Sequence, residues 1–483
     1  VDIPLSARVQ TRMGIKGPDP LDLIQHLVAN GHEVAALNAG QAPRPSVIAF
    51  KPIVEFVSPV SGPARWHGFG DLPPLPTLPA ALAATPLPAF DWALSQIMLM
   101  DDGLGIPLVG WLGYISYDLG LTLEGIKSPR HQTAQWPGLH WCLYDHYYLY
   151  NHQTQQYTLA ALEWSAVRQN SAWQRLDEME HELGRVDSAP APTAPTSRLL
   201  AHTTAQQYQR GVKRICEYIA AGDIYQANLA ARWQVHTQRR PSEVYHALLT
   251  EHPNAWGGLI HHQQDSLVSI SPELFLERQG SQLTTHPIKG TRPRYLTDPQ
   301  RDASQRAELE QSPKEAAELA MIVDLLRNDL GRVCDWGSVQ VTQPRVIEAL
   351  STVWHTSAVI TGQLAPQSMT WDRILTALLP GGSITGTPKI RATQIIAELE
   401  DFQREIYCGH MGWIGARGEA LLNVAIRTIL MRRESGALPN FQADVYAGAG
   451  IVADSTPTAE YAEVCLKAQA LLAALGITLP PTA

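Results

Sequence analysis

Leu422-Asn423-Val424-Ala425-Ile426-Arg427-Thr428 alternates between large apolar residues and a mixed set of small and polar ones. A period of two predicts a strand, with Leu422, Val424 and Ile426 on one face and Asn423, Ala425 and Arg427 on the other. The stretch lies in a region, 407–452, that reads as an antiparallel meander. Arg427 then projects from a sheet among small and polar neighbours, a setting suited to a bidentate grip on a carboxylate. The region ends in Tyr446-Ala447-Gly448-Ala449-Gly450-Ile451. Two glycines weaken a strand and mark close approach by a ligand or another backbone.

Upstream, Pro287-Ile288-Lys289-Gly290-Thr291-Arg292-Pro293-Arg294 places a lysine between an apolar approach and a Gly-Thr turn. Two roles are open to Lys289: a cation that holds an anion, or, with its pKa lowered, a neutral amine that attacks carbon. A solvated surface turn is the plain alternative. A helix is expected after a capping box of Thr203 and Gln206. Its face carries Tyr208, Val212, Ile215 and Ile219, and Gly222 ends it. A strand, 224–230, follows. Glu273, in Ser271-Pro272-Glu273, stands at a proline-marked strand edge, where a carboxylate must find a partner or stay protonated.

Glu315 and Glu318 fall three apart in an expected helix, 313–330, and Glu460 and Glu463 fall three apart in another, 458–475. That spacing puts each pair on one helical face. Two such faces brought together would make an oxygen-rich site for a hard divalent cation. Either pair alone reads equally as a solvated face. Lys467, one turn beyond Glu463, could pair with it or hold a substrate anion. Pro380 to Lys389 is a glycine-rich loop before a helix, a ready anion site without the P-loop pattern.

Before residue 190 the chain shows no catalytic constellation. Strands are expected at 110–117 and 141–144, a helix of mixed charge at 165–183, a surface excursion at 72–88 and a proline-rich linker at 187–197. The expected division is a region 1–190 and a catalytic region 198–483.

Composition narrows the function classes. The 483 residues carry a net charge of −9 with no basic run, which speaks against nucleic acid. No apolar run has the length of a membrane span. Val1-Asp2-Ile3-Pro4 lacks a charged head with an apolar block, so no signal peptide is expected. Cys142, Cys216, Cys334, Cys408 and Cys465 are scattered without metal-ligand spacing and fit reduced thiols in a cytoplasmic protein.

Taken in order, Gly222–Leu229, Ser271-Pro272-Glu273, Met321–Asp329, Gly381–Gly386, Ile426-Arg427-Thr428 and Gly448–Ser455 resemble the motifs of the chorismate-utilising enzyme family. The resemblance runs from about residue 200 to the end and more weakly before it. It implies an α/β (α+β) fold, a large sandwich of two facing antiparallel β-sheets with helices outside, to which the N-terminal region adds strands. The lysine of Pro-Ile-Lys-Gly-Thr resembles the aminodeoxychorismate synthase component I group, where the anthranilate synthase group typically has alanine. By this resemblance Lys289 is the covalent nucleophile and Glu273 the general acid. Glu318 and Glu463 ligate Mg²⁺, with Glu315 and Glu460 acting through water. Arg427 and Tyr407 hold the enolpyruvyl carboxylate of chorismate. Thr291, His355, Ser383, Gly448 and Lys467 complete the pocket. Gln226 stands where relatives that add water carry a lysine base. Ammonia is the implied second substrate. With no amidotransferase motif in the chain, a separate glutamine amidotransferase subunit is the implied partner. No fused lyase is expected after Ala483, and tryptophan binding by the N-terminal half stays open. Anthranilate synthase component I, or a non-catalytic chorismate-binding subunit, are the alternatives.

Overall fold

The computed structural model describes residues 5–38, 45–70, 72, 74–100, 109–126, 134–164, 171–186, 196–253, 256–350, 353–415, 417–436 and 440–479. Most of the expected linker (187–195), the start of the expected charged helix (165–170) and part of the loop after Arg432 (437–439) lie outside the described residues.

Two long strands, Ser46–Ser58 and Leu139–Asn151, pair antiparallel and are where the sheet divides into two arms. From Ser46–Ser58 one arm runs through Val34–Leu37, Trp256–His262, Asp265–Ser271, Thr428–Arg433, Phe441–Ile451 and Gln226–Thr237. From Leu139–Asn151 the other runs through Gly110–Ile115, His410–Gly415, Ala420–Val424, Leu274–Gln279, Gln282–His286, Val353–Gln363 and Gln340–Ala349. Ile288–Pro293 continues the Gln282–His286 side of Val353–Gln363. These pairings are all antiparallel.

Alternation along the strands explains why the arms face each other. Ala230, Ile260, Leu267, Leu430 and Tyr446 of the first arm share one core with Leu276, Leu283, Ile360, Ile414 and Leu422 of the second. Their sequence neighbours Ala231, Leu259, Val268, Ile429 and Val445 turn the other way. They meet Tyr208, Val212, Ile395, Val464 and Leu471 of the helices Ala205–Ala220, Lys389–Leu399 and Pro457–Ala474. A slip of one residue would exchange the two sets, and each large side chain is worth roughly 1.5–3 kcal/mol of burial, so the register is firmly held. The result is the mixed α/β sandwich expected, with peripheral helices.

Some local expectations differ. The 407–452 region forms two hairpins, one in each arm: His410–Gly415 with Ala420–Val424, and Thr428–Arg433 with Phe441–Ile451. The chain crosses between arms at Ala425-Ile426-Arg427. Arg427 has φ +49°, in the left-handed region that a continuing strand does not use. The other face of Ala420–Val424 is also buried, because Asn423 donates to Trp256 O at 2.6 Å and accepts from Met411 N at 3.2 Å. The capping box falls one residue later, on Thr204 and Gln207. The 72–88 excursion enters the helices Ala80–Ala83 and Pro86–Ser95, and the second of these buries Leu87 and Phe90. Among the described residues no helix is long and apolar enough to cross a membrane.

Candidate active site

Lys289 lies on Ile288–Pro293, opposite Thr356. Gly290 follows with φ +71°, and a β-carbon there would stand 2.7 Å from Glu315 Oε2. Only glycine lets this strand pass under the Pro313–Gly331 helix that carries Glu315. Across the sandwich, a β-carbon on Gly450 would lie 2.5 Å from Gln226 Nε2 and 3.8 Å from Lys289 Nζ. The glycines noted in the sequence thus mark where the lysine of one arm meets the other. Burial pushes the Lys289 amine down from its ordinary value, with Glu318 and Glu273 opposing and Lys467 adding to the fall. A lowered amine is what nucleophilic attack needs.

Glu273 occupies the break between Asp265–Ser271 and Leu274–Gln279. Its N–H donates to Ser271 Oγ at 3.1 Å, and its carbonyl accepts from Val424 N at 3.0 Å. Ser271 Oγ donates in turn to Val424 O at 2.6 Å. The side chain is 5 % exposed. Burial pushes its carboxyl up, opposed by a hydrogen bond from Ser383 and by Lys289. Acid and amine are therefore each driven toward the neutral form, which suits a proton donor beside a nucleophile.

Arg427, at the crossover, has its pKa lowered by burial. Among the described residues no carboxylate forms an ion pair with its guanidinium. A half-buried cation without a protein counter-ion is suited to a ligand carboxylate. Next to it His355 is pushed down to about 3 by burial and by the Arg427 charge, so it is a neutral imidazole. His355 Nδ1 shares a 3.4 Å hydrogen bond with Thr291 Oγ1, and among the described residues its buried Nε2 has no hydrogen-bond partner. Among the same residues Gln226 Oε1 is likewise buried without a hydrogen-bond partner. Tyr407 stacks on Tyr446 with centroids 5.2 Å apart, and its hydroxyl stands 3.0 Å from where a β-carbon on Gly448 would be.

The paired glutamates come from the helices Pro313–Gly331 and Pro457–Ala474. Burial pushes Glu318 up, while Lys289 draws it down and Glu315 and Glu463 repel its charge. Burial also raises Glu460, against a 2.6 Å hydrogen bond from Ser455. Glu463 is held low by Lys467, which bonds it at 2.7 Å and donates to Gly448 O at 3.0 Å. Glu315 lies 3.4 Å from Arg292, and Lys314 lies 3.9 Å from Glu318. Glu318 and Glu463 thus act on one another's charge and on that of Lys289, while no three of the four glutamates lie within ligand distance of one another among the described residues. Their carboxylates repel within a partly buried site, a charge arrangement that a divalent cation relieves. Among the described residues, the donors gathered within ligand distance of each other are a different set, Glu55, His140, Cys142 and His262.

The glycine-rich loop has a structural task. Lys389 forms a 2.7 Å ion pair with buried Asp329, so it is not offered to an anion. Sequence reading missed the brace beneath it. Arg404 pairs with Glu400 at 2.7 Å and donates to Asn228 O at 2.6 Å and Ile384 O at 3.1 Å. Glu400 accepts from Ala230 N at 2.9 Å. This fixes the loop bearing Ser383 against the strand bearing Gln226. An i,i+4 Glu–Arg pair looks in sequence like any solvated helical pair, so nothing local announced it.

Residues 83–473 match the model of the chorismate binding enzyme family. The chain belongs to that family. Among its relatives, the anthranilate synthase component I-like protein of Synechocystis is 37 % identical over 369 residues, 76 % of this chain and 72 % of that protein. Aminodeoxychorismate synthase component 1 of Bacillus subtilis is 34 % identical over 373 residues, 76 % of this chain and 77 % of that protein. The crystal structure of anthranilate synthase component I from Streptococcus pneumoniae superposes with TM-score 0.72 at 27 % identity, covering 89 % of this chain and 92 % of that one. Within the family the chain sits among the component I enzymes of anthranilate and aminodeoxychorismate synthesis.

Proposed function

We propose that this chain aminates chorismate with ammonia to give 4-amino-4-deoxychorismate, as an aminodeoxychorismate synthase component I. The observation that carries this reading is Lys289, an amine lowered by burial and placed between Glu273, Glu318 and Gln226. Arg427 and Tyr407 hold the enolpyruvyl carboxylate, and Thr291, His355, Gly448 and Lys467 close the pocket. Glu318 and Glu463, with Glu315 and Glu460 behind them, would hold Mg²⁺, which supplies positive charge for the ring carboxylate. Glu273 protonates the 4-hydroxyl, a poor leaving group otherwise. As water departs from carbon 4, Lys289 bonds to carbon 2. Ammonia then adds at carbon 4, and the bond from carbon 2 to Lys289 breaks with return of the amine. Ser383 orients Glu273. Gln226, which cannot serve as a general base, disfavours water as the nucleophile. Ammonia comes from a separate glutamine amidotransferase subunit.

A second reading is anthranilate formation with loss of pyruvate. Taken alone, the matches weigh more toward it, since the solved anthranilate synthase covers nearly the whole chain. Lys289 is the feature that stands against it. Incubation with chorismate, ammonium and Mg²⁺ followed by product identification separates the readings. Aminodeoxychorismate supports the first, anthranilate with pyruvate the second, and no turnover a binding subunit.

A further inference from the structure

We propose that Glu55, His140, Cys142 and His262 bind a zinc-like divalent ion, away from the residues around Lys289. The β-pleat brings most of the donors together. Glu55 pairs directly with Cys142 on one side and with His67 on the other. Laterally paired residues share a face, and His140, two residues before Cys142, shares it too. His262 ends the Trp256–His262 strand and brings its ring to 4.7 Å from that of His140. All four donors are buried, and their ligand atoms lie within 4.8 Å of one another.

The geometry fits a tetrahedral ion. Glu55 Oε1 is 2.7 Å from His140 Nε2 and 2.9 Å from His262 Nε2, and Cys142 Sγ is 3.8 Å from His140 Nε2. Bonds of about 2.0–2.3 Å in a tetrahedron put donors roughly 3.3–3.7 Å apart, so the carboxylate needs to open by about half an ångström. His262 supplies a second, independent sign. Its Nε2 lies 2.9 Å from Glu55 Oε1 and its Nδ1 lies 3.1 Å from Glu33 Oε2. A ring with one nitrogen toward a shared centre and the other toward a carboxylate is how metal-bound histidines are held. Glu33 is itself fixed by Gln263 N at 3.2 Å. Two imidazoles, a thiolate and a carboxylate select zinc over magnesium, and four protein donors make a closed, structural site. His67, whose side chain is 51 % exposed, lies 3.1 Å from Glu55 Oε2 and marks the way to solvent. Such an ion would clamp Ser46–Ser58 and Leu139–Asn151 to Trp256–His262.

The test uses the purified full chain. Loaded with zinc and desalted, it is expected to retain about one equivalent. Loaded with cobalt(II), it should show the visible bands of a tetrahedral ion and a sulfur-to-cobalt band in the near ultraviolet. Cys142→Ser should abolish the sulfur band and Cys216→Ser should keep it. Should Cys142→Ser fail to fold, the wild-type chain decides through its cobalt spectrum and through a fall in Tm of several degrees on chelation. Less than a tenth of an equivalent of zinc with no cobalt bands overturns the proposal and leaves a buried ion-pair network. A sulfur band that persists in Cys142→Ser also overturns it.

Discussion

Gly450 leaves the space that the Gln226 amide occupies: a β-carbon there would come within 2.5 Å of Nε2. The neighbour is the end of a flexible side chain, so Gly450→Ala displaces Gln226 and crowds Lys289 without breaking backbone pairing. Activity is expected to fall at least tenfold, while Tm changes by no more than a few degrees. A variant with wild-type kcat and KM would show that this approach of the two arms has no part in the site.

Arg427 is half-buried at the crossover between hairpins, next to neutral His355. Losing one partner of a buried charge pair costs about 2–5 kcal/mol. Arg427→Ala should therefore raise KM for chorismate by about 30-fold or more. Arg427→Lys should recover little, because an ammonium lacks the planar fork. Steady-state kinetics with an unchanged KM in Arg427→Ala would remove it from substrate binding.

Glu318→Gln and Glu463→Gln each remove a hard anionic donor. Both should abolish turnover at ordinary Mg²⁺ with the far-ultraviolet circular dichroism preserved. Titrating activity against Mg²⁺ provides the check, and a wild-type titration curve from either variant contradicts the assignment.

Ser383 donates a hydrogen bond that draws the Glu273 carboxyl down against its burial. Removing a donor to the charged form raises the pKa, so the protonated acid persists to higher pH. In Ser383→Ala the alkaline limb of kcat/KM for chorismate, at saturating free ammonia, should move to higher pH. A downward shift of that limb would show that Glu273 is not the acid being followed.

Much of this was legible because apolar alternation and helical spacing survive into the structure. The helix expected at 313–330 is Pro313–Gly331, and that at 458–475 is Pro457–Ala474. The glycines at 448 and 450 do lie where side chains press close. What local pattern could not show depends on distant pairing. The 422–428 alternation hid a crossover, since a single left-handed residue at Arg427 leaves hydrophobic periodicity intact. Lys389 looked available until Asp329, sixty residues away, came to meet it. Cys142 reads in sequence as a thiol without metal-ligand spacing, because Glu55 and His262 come to it and His140 only through strand order.

The central claim is covalent attack by Lys289. Lys289→Ala should lower aminodeoxychorismate formation by a factor of ten or more, and Lys289→Arg should fail as well, because a guanidinium stays charged. The direct measurement is mass spectrometry of the wild-type chain incubated with chorismate and Mg²⁺ in the absence of ammonia. The account predicts an adduct on the peptide that contains Lys289, lost when ammonia is added. An unmodified peptide, together with full wild-type rates from Lys289→Ala at the same ammonia concentration, would contradict it.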